Sequence, residues 1–244
     1  MENRLERQIK IPLSSVDNTN TMSIVGIFNT FMDLATEHGD MLGVGMDRLS
    51  AKGLIWVAAK TKFCIAQRPE MLQTVTVATW PETPSKIRFN RYYSMADESG
   101  RYIIEGKTEW AILDLNTGRP HRLDETYPVD MKHWDEVVCD GPFSRMSTDF
   151  DGCDECGRHT VTSADIDVSQ HMNNAAYIRN VLGAFCCAQL EKMNITEIEA
   201  AYRTQCFEGE HLVFKKRTIE NGLEIGVIKE DGKTAAVVKL VCNV

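Results

Sequence analysis

Asp167-Val-Ser169-Gln-His171-Met-Asn173-Asn174 places a carboxylate, a hydroxyl, an imidazole and three carboxamides within one short segment. Groups of these types, held together, can activate a water molecule and steady a carbonyl oxygen, which is the chemistry of hydrolysis at an acyl carbon. The apolar residues that follow recur at 177, 181, 184 and 188, beside a second line at 178, 182 and 185. That spacing predicts a helix buried on most of its circumference. The polar segment then lies at a helix N-terminus, where unpaired N–H groups and the positive end of the dipole converge. Taken singly, Asn173 or Asn174 reads as an N-cap and His171 as a satisfied, half-buried histidine. Their combination carries the chemical reading.

The elements that must position this segment occur twice. Asp17-Asn-Thr-Asn-Thr-Met22 opens an earlier apolar helix and aligns without a gap on Asp167-Val-Ser-Gln-His-Met172, with Thr21 where His171 stands. Ala58-Ala59-Lys-Thr-Lys-Phe-Cys64 is matched to Ala200-Ala201-Tyr-Arg-Thr-Gln-Cys206, which implies two copies of one unit. With an imidazole in the second copy alone, one reaction centre per chain is expected, and the first copy is left to shape a pocket or buttress the second.

Each copy reads as a strand, a helix and four further strands. Gln8 to Leu13 alternates as a strand does, and Ile24, Ile27, Phe28, Phe31, Leu34 and His38 follow helical spacing. Leu54 to Ile65, Thr74 to Trp80, Ile87 to Met95 and Tyr102 to Leu113 read as strands, punctuated by Pro81, Pro84, Gly100 and Asn116-Thr-Gly118. Ile198 to Phe207, His211 to Arg217, Leu223 to Lys229 and Thr234 to Val241 repeat the series, with hairpin signals at Asn221-Gly222 and Asp231-Gly232. The fold class is therefore α+β, a tandem or double hotdog in which each antiparallel sheet wraps a long helix. The expected domains are 1–125, an N-terminal hotdog with an acyl-chain pocket and no catalytic histidine; 126–156, an aperiodic linker; and 157–244, the C-terminal hotdog with the reaction centre.

Composition narrows the function classes. A chain of 244 residues with 43% hydrophobic content can bury one large core or two modest ones. No apolar run reaches the ~20 residues of a membrane span, and the charged start Met-Glu-Asn-Arg-Leu-Glu-Arg lacks the apolar core of a signal peptide, so a cytoplasmic protein with no membrane insertion is expected. Eight irregularly placed cysteines fit reduced thiols. The net charge of −8, with no long basic tract, argues against nucleic acid as a partner.

Residues 167–178 resemble the signature of the plant and bacterial acyl-acyl carrier protein thioesterases, an aspartate, an asparagine and a histidine followed by a paired Asn-Asn and a tyrosine. Gly53-Leu-Ile-Trp56-Val57 resembles the same family, and Tyr202-Arg-Thr-Gln205-Cys206 is similar to its strand motif of Tyr-Arg-Arg-Glu-Cys type. The resemblance implies hydrolysis of fatty acyl-acyl carrier protein thioesters, with Asp167, Ser169, His171, Gln205 and Cys206 at the catalytic positions and Asn173, Asn174, Tyr177 and Trp56 towards the substrate. It implies no cofactor and no metal.

Two positions depart from the family pattern. Ser169 replaces the usual asparagine and can still donate and accept a hydrogen bond. Gln205 replaces a glutamate and cannot act as a base. Two mechanisms follow: His171 or Asp167 activates a water, with Ser169 and Gln205 holding register and N–H groups near Asn174 stabilising the oxyanion, or Cys206 attacks with His171 as its base. Cys64, matched to Cys206 in a copy without histidine, favours the first.

Other patterns read as structural. Cys153, Cys156 and His159 have ligand-like spacing but no fourth ligand, Cys186 and Cys187 read as core, and Met22, Met32, Met41 and Met46 suit a core or a pocket wall. An acidic carrier protein calls for a basic patch, for which Lys86, Arg88 and Arg91, with Lys86 and Arg88 on one strand face, and Lys215-Lys216-Arg217 are candidates against an ordinary solvated edge. An acyl-coenzyme A thioesterase, a hotdog dehydratase and a non-catalytic acyl-binding module remain alternatives, and a homodimer stays open.

Overall fold

In the first half, β-branched and aromatic segments form strands around one long helix. The computed structural model describes residues 3–83, 85–127 and 134–243, so the turn expected at Pro84 and linker residues 128–133 lie outside the described residues. The first unit runs β1 (Leu5–Lys10), α1 (Ile24–Met41), the short α2 (Met46–Ser50), β2 (Leu54–Ile65), β3 (Thr74–Pro81), β4 (Phe89–Ala96), β5 (Tyr102–Asp114) and β6 (Pro120–His121). These strands pair antiparallel in the order β1-β3-β4-β5-β2, with β6 on β5. Ser23 caps α1 by accepting the Gly26 N–H at 3.0 Å. The helix then lays Phe28 on Phe63, ring centroids 5.7 Å apart, and Phe31 on Tyr93 at 5.1 Å.

The second unit repeats the plan with β7 (Asp154–Thr160), α3 (Asn174–Leu182), α4 (Cys187–Met193), β8 (Glu197–Tyr202), β9 (His211–Ile219), β10 (Gly222–Lys229) and β11 (Thr234–Val241). Its antiparallel order is β7-β9-β10-β11-β8. Each unit is thus a hotdog, a helix laid on an antiparallel sheet. Among the described residues all eight cysteines are free, and no helix is long and apolar enough to cross a membrane.

The chain divides into compact units at Met1–Gly141 and Pro142–Val244. The described part of the expected linker is docked, residue by residue, on the unit to which it belongs. In the first unit Trp80 Nε1 donates to the Glu136 carbonyl at 2.8 Å, and the Cys64 and Cys139 sulfurs lie 3.1 Å apart. In the second, the Ser144 N–H donates to Glu199 at 2.7 Å, and Phe150 fills the space beside Gly226. The last residues of the expected linker, from Asp154, already belong to β7. An extended strap held by single buried anchors such as Val138, Cys139, Met146 and Phe150 has no hydrophobic period to detect.

The structure corrects the second helix. Instead of one helix through 188, α3 ends at Leu182 with Gly183 as its C-cap, and a new short helix starts after Cys186, whose backbone N–H donates to Gln189 at 2.8 Å. Glycine is a weak helix former, and Ala184 presses on Gly157, where a Cβ would stand 2.9 Å away. Beyond that break Cys186, Cys187 and Ala188 are exposed, contrary to a core position. Met41 and Met46 are likewise exposed, whereas Met22 is fully buried. The strand expected through Phe207 stops at Tyr202, because residues 203–206 turn into the candidate site.

Gly106 faces Phe63 across β5 and β2, and a Cβ there would lie 2.4 Å from the ring. Gly106→Ala is expected to cost about 1–3 kcal/mol by overpacking. A thermal unfolding midpoint equal to that of the wild type would contradict this packing.

Candidate active site

Asp167 builds the site by folding its own loop. Its Oδ1 accepts the Ser169 N–H at 2.8 Å and the Ser169 hydroxyl in a short contact, while the Asp167 carbonyl accepts the Gln170 N–H at 3.0 Å. Gln170 is held at φ +63°, a left-handed conformation that a long side chain seldom adopts. The turn brings His171 back, so that its Nε2 lies 2.9 Å from Ser169 Oγ. His171 Nδ1 lies 3.2 Å from the Met172 carbonyl, which can only accept, so this bond places a proton on Nδ1. Asn173 joins the loop to the helix: its Nδ2 donates to Asp167 Oδ2 at 3.0 Å, and its Oδ1 caps α3 by accepting the Ala175 N–H at 2.7 Å. Asn173 is thus the N-cap, and the N–H of Asn174 opens the helix without an intrahelical partner.

The other residues expected at the site stand at different removes. Cys206 is fully buried, and its carbonyl accepts the Met172 N–H at 2.8 Å. Burial pushes its thiol up, opposed by Tyr177 and Lys229, so it stays protonated at neutral pH. Tyr177 is also buried and donates to the Thr204 carbonyl at 3.3 Å, and burial, with the neighbouring Cys206, pushes its hydroxyl up. The Gln205 side chain is exposed, and the Gln205 carbonyl accepts Lys229 Nζ at 3.1 Å. Trp56 belongs to the first unit, where its Nε1 donates to the Val44 carbonyl at 2.8 Å and its ring packs edge-on against Phe89, Trp110 and Tyr127.

The first unit carries the same loop without the imidazole. Asp17 Oδ1 accepts the Thr19 N–H at 3.0 Å and its hydroxyl at 2.6 Å, and Thr19 Oγ1 meets Thr21 Oγ1 at 2.8 Å. Arg68 holds Asp17 Oδ2 in an ion pair, the role that Asn173 has towards Asp167. Matching bonds correct the internal alignment. Met22 N–H donates to the Pro69 carbonyl as Met172 N–H does to that of Cys206, both at 2.8 Å, and the turns Glu70–Gln73 and Phe207–Glu210 close with equal 3.1 Å bonds. Pro69, not Cys64, is therefore the counterpart of Cys206, and Arg68 that of Gln205. The sequence match failed because the helices ahead of the strand differ in length, 18 residues in α1 against 9 in α3, so the two copies lose their common offset.

A second polar cluster escaped the sequence reading. The Asp165 carboxylate, 2% exposed, accepts the Thr162 N–H at 2.8 Å and its hydroxyl at 2.9 Å, His159 Nε2 at 2.8 Å, Arg179 at 2.7 Å and Asn180 Nδ2 at 3.0 Å. Thr162-Ser-Ala-Asp165 has capping-box spacing, which was the available signal. Cys153, Cys156 and His159 do not converge: Cys153 packs beside Phe150 and Met146, Cys156 donates to the Phe214 carbonyl at 3.4 Å, and His159 belongs to Asp165. Arg91, expected on a basic surface, is 4% exposed inside the first unit, its Nη1 2.9 Å from His38 Nδ1. Lys86 and Arg88 are exposed but precede β4, so strand alternation does not apply to them.

Residues 2–129 match the acyl-ACP thioesterase N-terminal domain (ACP, acyl carrier protein), and residues 153–240 match the C-terminal domain. The chain belongs to the acyl-ACP thioesterase family. It is 24% identical over 226 residues to a chloroplastic palmitoyl-acyl carrier protein thioesterase of Arabidopsis thaliana, covering 86% of this chain and 53% of that protein. A Gossypium hirsutum protein of the same name is 24% identical over 198 residues, 76% of this chain and 48% of that one. The chain spans about half the length of the curated relatives it matches. The acyl-ACP thioesterase structure from Bacteroides thetaiotaomicron overlays with a TM-score of 0.90 at 23% identity, over 99% of this chain and 98% of that one. The 12:0-ACP thioesterase of Umbellularia californica gives 0.79 at 18%, over 100% and 98%. These overlays establish the double hotdog fold.

Burial alone would raise the Asp165 carboxyl, but the donors from Thr162, Asn180 and His159 outweigh it and hold the group well below the usual carboxylate range. A group depressed in the folded state contributes stability at neutral pH that is lost as pH falls through its folded pKa. Asp165→Asn is expected to be less stable than wild type at neutral pH, with the gap narrowing below about pH 4. Denaturant unfolding across that range checks it, and a gap that stays constant would refute it.

Proposed function

We propose that the protein hydrolyses fatty acyl-ACP thioesters, releasing free fatty acid and carrier protein. The observation that carries this reading is the hydrogen-bonded chain Asp167–Ser169–His171 at the start of α3 in a member of this family. Once the Ser169 hydroxyl turns its proton to Asp167 and frees the Nε2 lone pair, His171 takes a proton from the water that attacks the thioester carbonyl and returns it to the leaving thiolate, so that water and thioester become acid and thiol. Ser169 has one hydroxyl proton and two neighbours that can accept it. With neutral His171 the proton points to Nε2; when Nε2 becomes protonated, the hydroxyl turns to Asp167 and its oxygen accepts from the imidazolium. Each protonation state is thus matched, and the positive charge faces a carboxylate one hydroxyl away. The Asn174 N–H supplies a donor for the oxyanion.

A buried Cys206 thiol that stays protonated supports water attack over a cysteine nucleophile. The Ser169–His171 contact also has the form of a nucleophile–base pair, which makes Ser169 the second reading. An acyl chain would enter the N-terminal hotdog, and exposed Lys86 and Arg88 would meet the acidic carrier.

Release of thiol from acyl-ACP carrying a range of chain lengths, with acyl-coenzyme A alongside, tests the substrate. His171→Ala is expected to lower kcat at least about 10³-fold and Cys206→Ala less than about fivefold. Ser169→Asn, which restores the usual family residue, should keep most of the turnover; its complete loss, together with an acyl-serine trapped on wild-type protein, would establish the nucleophile instead. Turnover of coenzyme A thioesters alone would reassign the substrate.

A further inference from the structure

We infer that Asp165 is a positioning residue for this reaction, acting through Asn173 on the Asp167–Ser169–His171 chain. The inference rests on the reading of that chain as the reaction centre. Asp165 collects donors from the strand before the loop and the helix after it: His159 of β7, Thr162 beyond it, and Arg179 and Asn180 of α3. Its carbonyl accepts the Asn173 N–H at 2.8 Å. Asn173 in turn holds Asp167 Oδ2 with one end of its carboxamide and caps α3 with the other. A buried carboxylate is therefore one residue away from the group that sets the orientation of Asp167.

Comparison of the two units shows that the fold does not require this clamp. Ser15 is the counterpart of Asp165, and its carbonyl accepts the Ser23 N–H at the same 2.8 Å. Around it, Ile9, Pro12, Asn29 and Thr30 stand where His159, Thr162, Arg179 and Asn180 stand in the second unit. The same loop, with the same left-handed residue at Asn20, forms there without a buried carboxylate. The clamp accompanies the imidazole and is absent where threonine replaces it. Displacement of a reacting group by about 1 Å can cost 10²-fold in rate, so rigid support of this loop has a direct catalytic effect. A purely structural account is that the clamp compensates for α3 ending at Leu182, whereas α1 runs to Met41.

The two accounts separate on kinetics. Asp165→Asn, Asp165→Ser and Arg179→Ala, each confirmed folded by near-ultraviolet circular dichroism at the assay temperature, would be compared with wild type on acyl-ACP. Asp165→Asn is expected to lower kcat about 10²-fold with KM within about twofold, and Arg179→Ala to lower kcat about fivefold. The double variant Asp165→Asn/Asn173→Ala should be no slower than the slower single variant, because both act on one chain of contacts. A folded Asp165→Asn with kcat within about twofold of wild type, or effects that multiply in the double variant, would overturn the inference and leave a stabilising role. If both Asp165 variants fail to fold, Arg179→Ala decides: kcat equal to wild type overturns it. His171→Ala runs in parallel. If that variant retains turnover, or wild type releases no thiol, the reading of the reaction centre fails; if His171→Ala is dead and Asp165→Asn is fast, only the positioning role fails.

Discussion

One backbone hydrogen bond, repeated, governs where the chemistry can lie. Met22 N–H to the Pro69 carbonyl, and Met172 N–H to that of Cys206, tie the loop that enters each helix to the turn that leaves the strand after it. Each joins segments far apart in sequence. The Asp-x-Ser and Asp-x-Thr turns inside those loops then have a fixed base, and the carboxylate can afford a left-handed residue at Asn20 or Gln170 because several hydrogen bonds converge on it.

Within this shared loop the two units differ in side chains while the backbone turn is kept. In the first, Thr21 ends the chain of hydroxyls and Arg68 neutralises Asp17, so no group titratable near neutral pH faces the loop's carboxylate. In the second, Asn173 replaces the arginine contact with a neutral donor, which leaves the charge of Asp167 available to a neighbouring imidazolium. Gln205 stands at the position of Arg68, and its side chain turns outward. A cation there would compete with a charged His171 for the same carboxylate, and a neutral residue does not.

The polar segment at 167–174, the two-copy organisation and most strands were legible because each is a local pattern: spacing of chemical types, periodicity of apolar residues, and turn dipeptides. Thr74 to Trp80 and Thr234 to Val241 emerge almost as read. The failures share a cause. Cys186 and Cys187 continue an apolar period that Gly183 interrupts, Arg91 lies on an inward strand face that a count of charges cannot see, and the pairing of Cys64 with Cys206 followed residue likeness across helices of unequal length.

The sequence by itself determined the reacting groups, their order along one loop and the helix that follows, since these depend on near neighbours in the chain. Only the tertiary structure decided their partners. That Cys206 is sealed in the interior, that its carbonyl holds the Met172 N–H, and that Arg179 and Asn180 reach back to the Asp165 carboxylate depend on contacts between residues distant in sequence. Such contacts follow from packing against the sheet, for which the order of residues along one strand or helix carries no local signal.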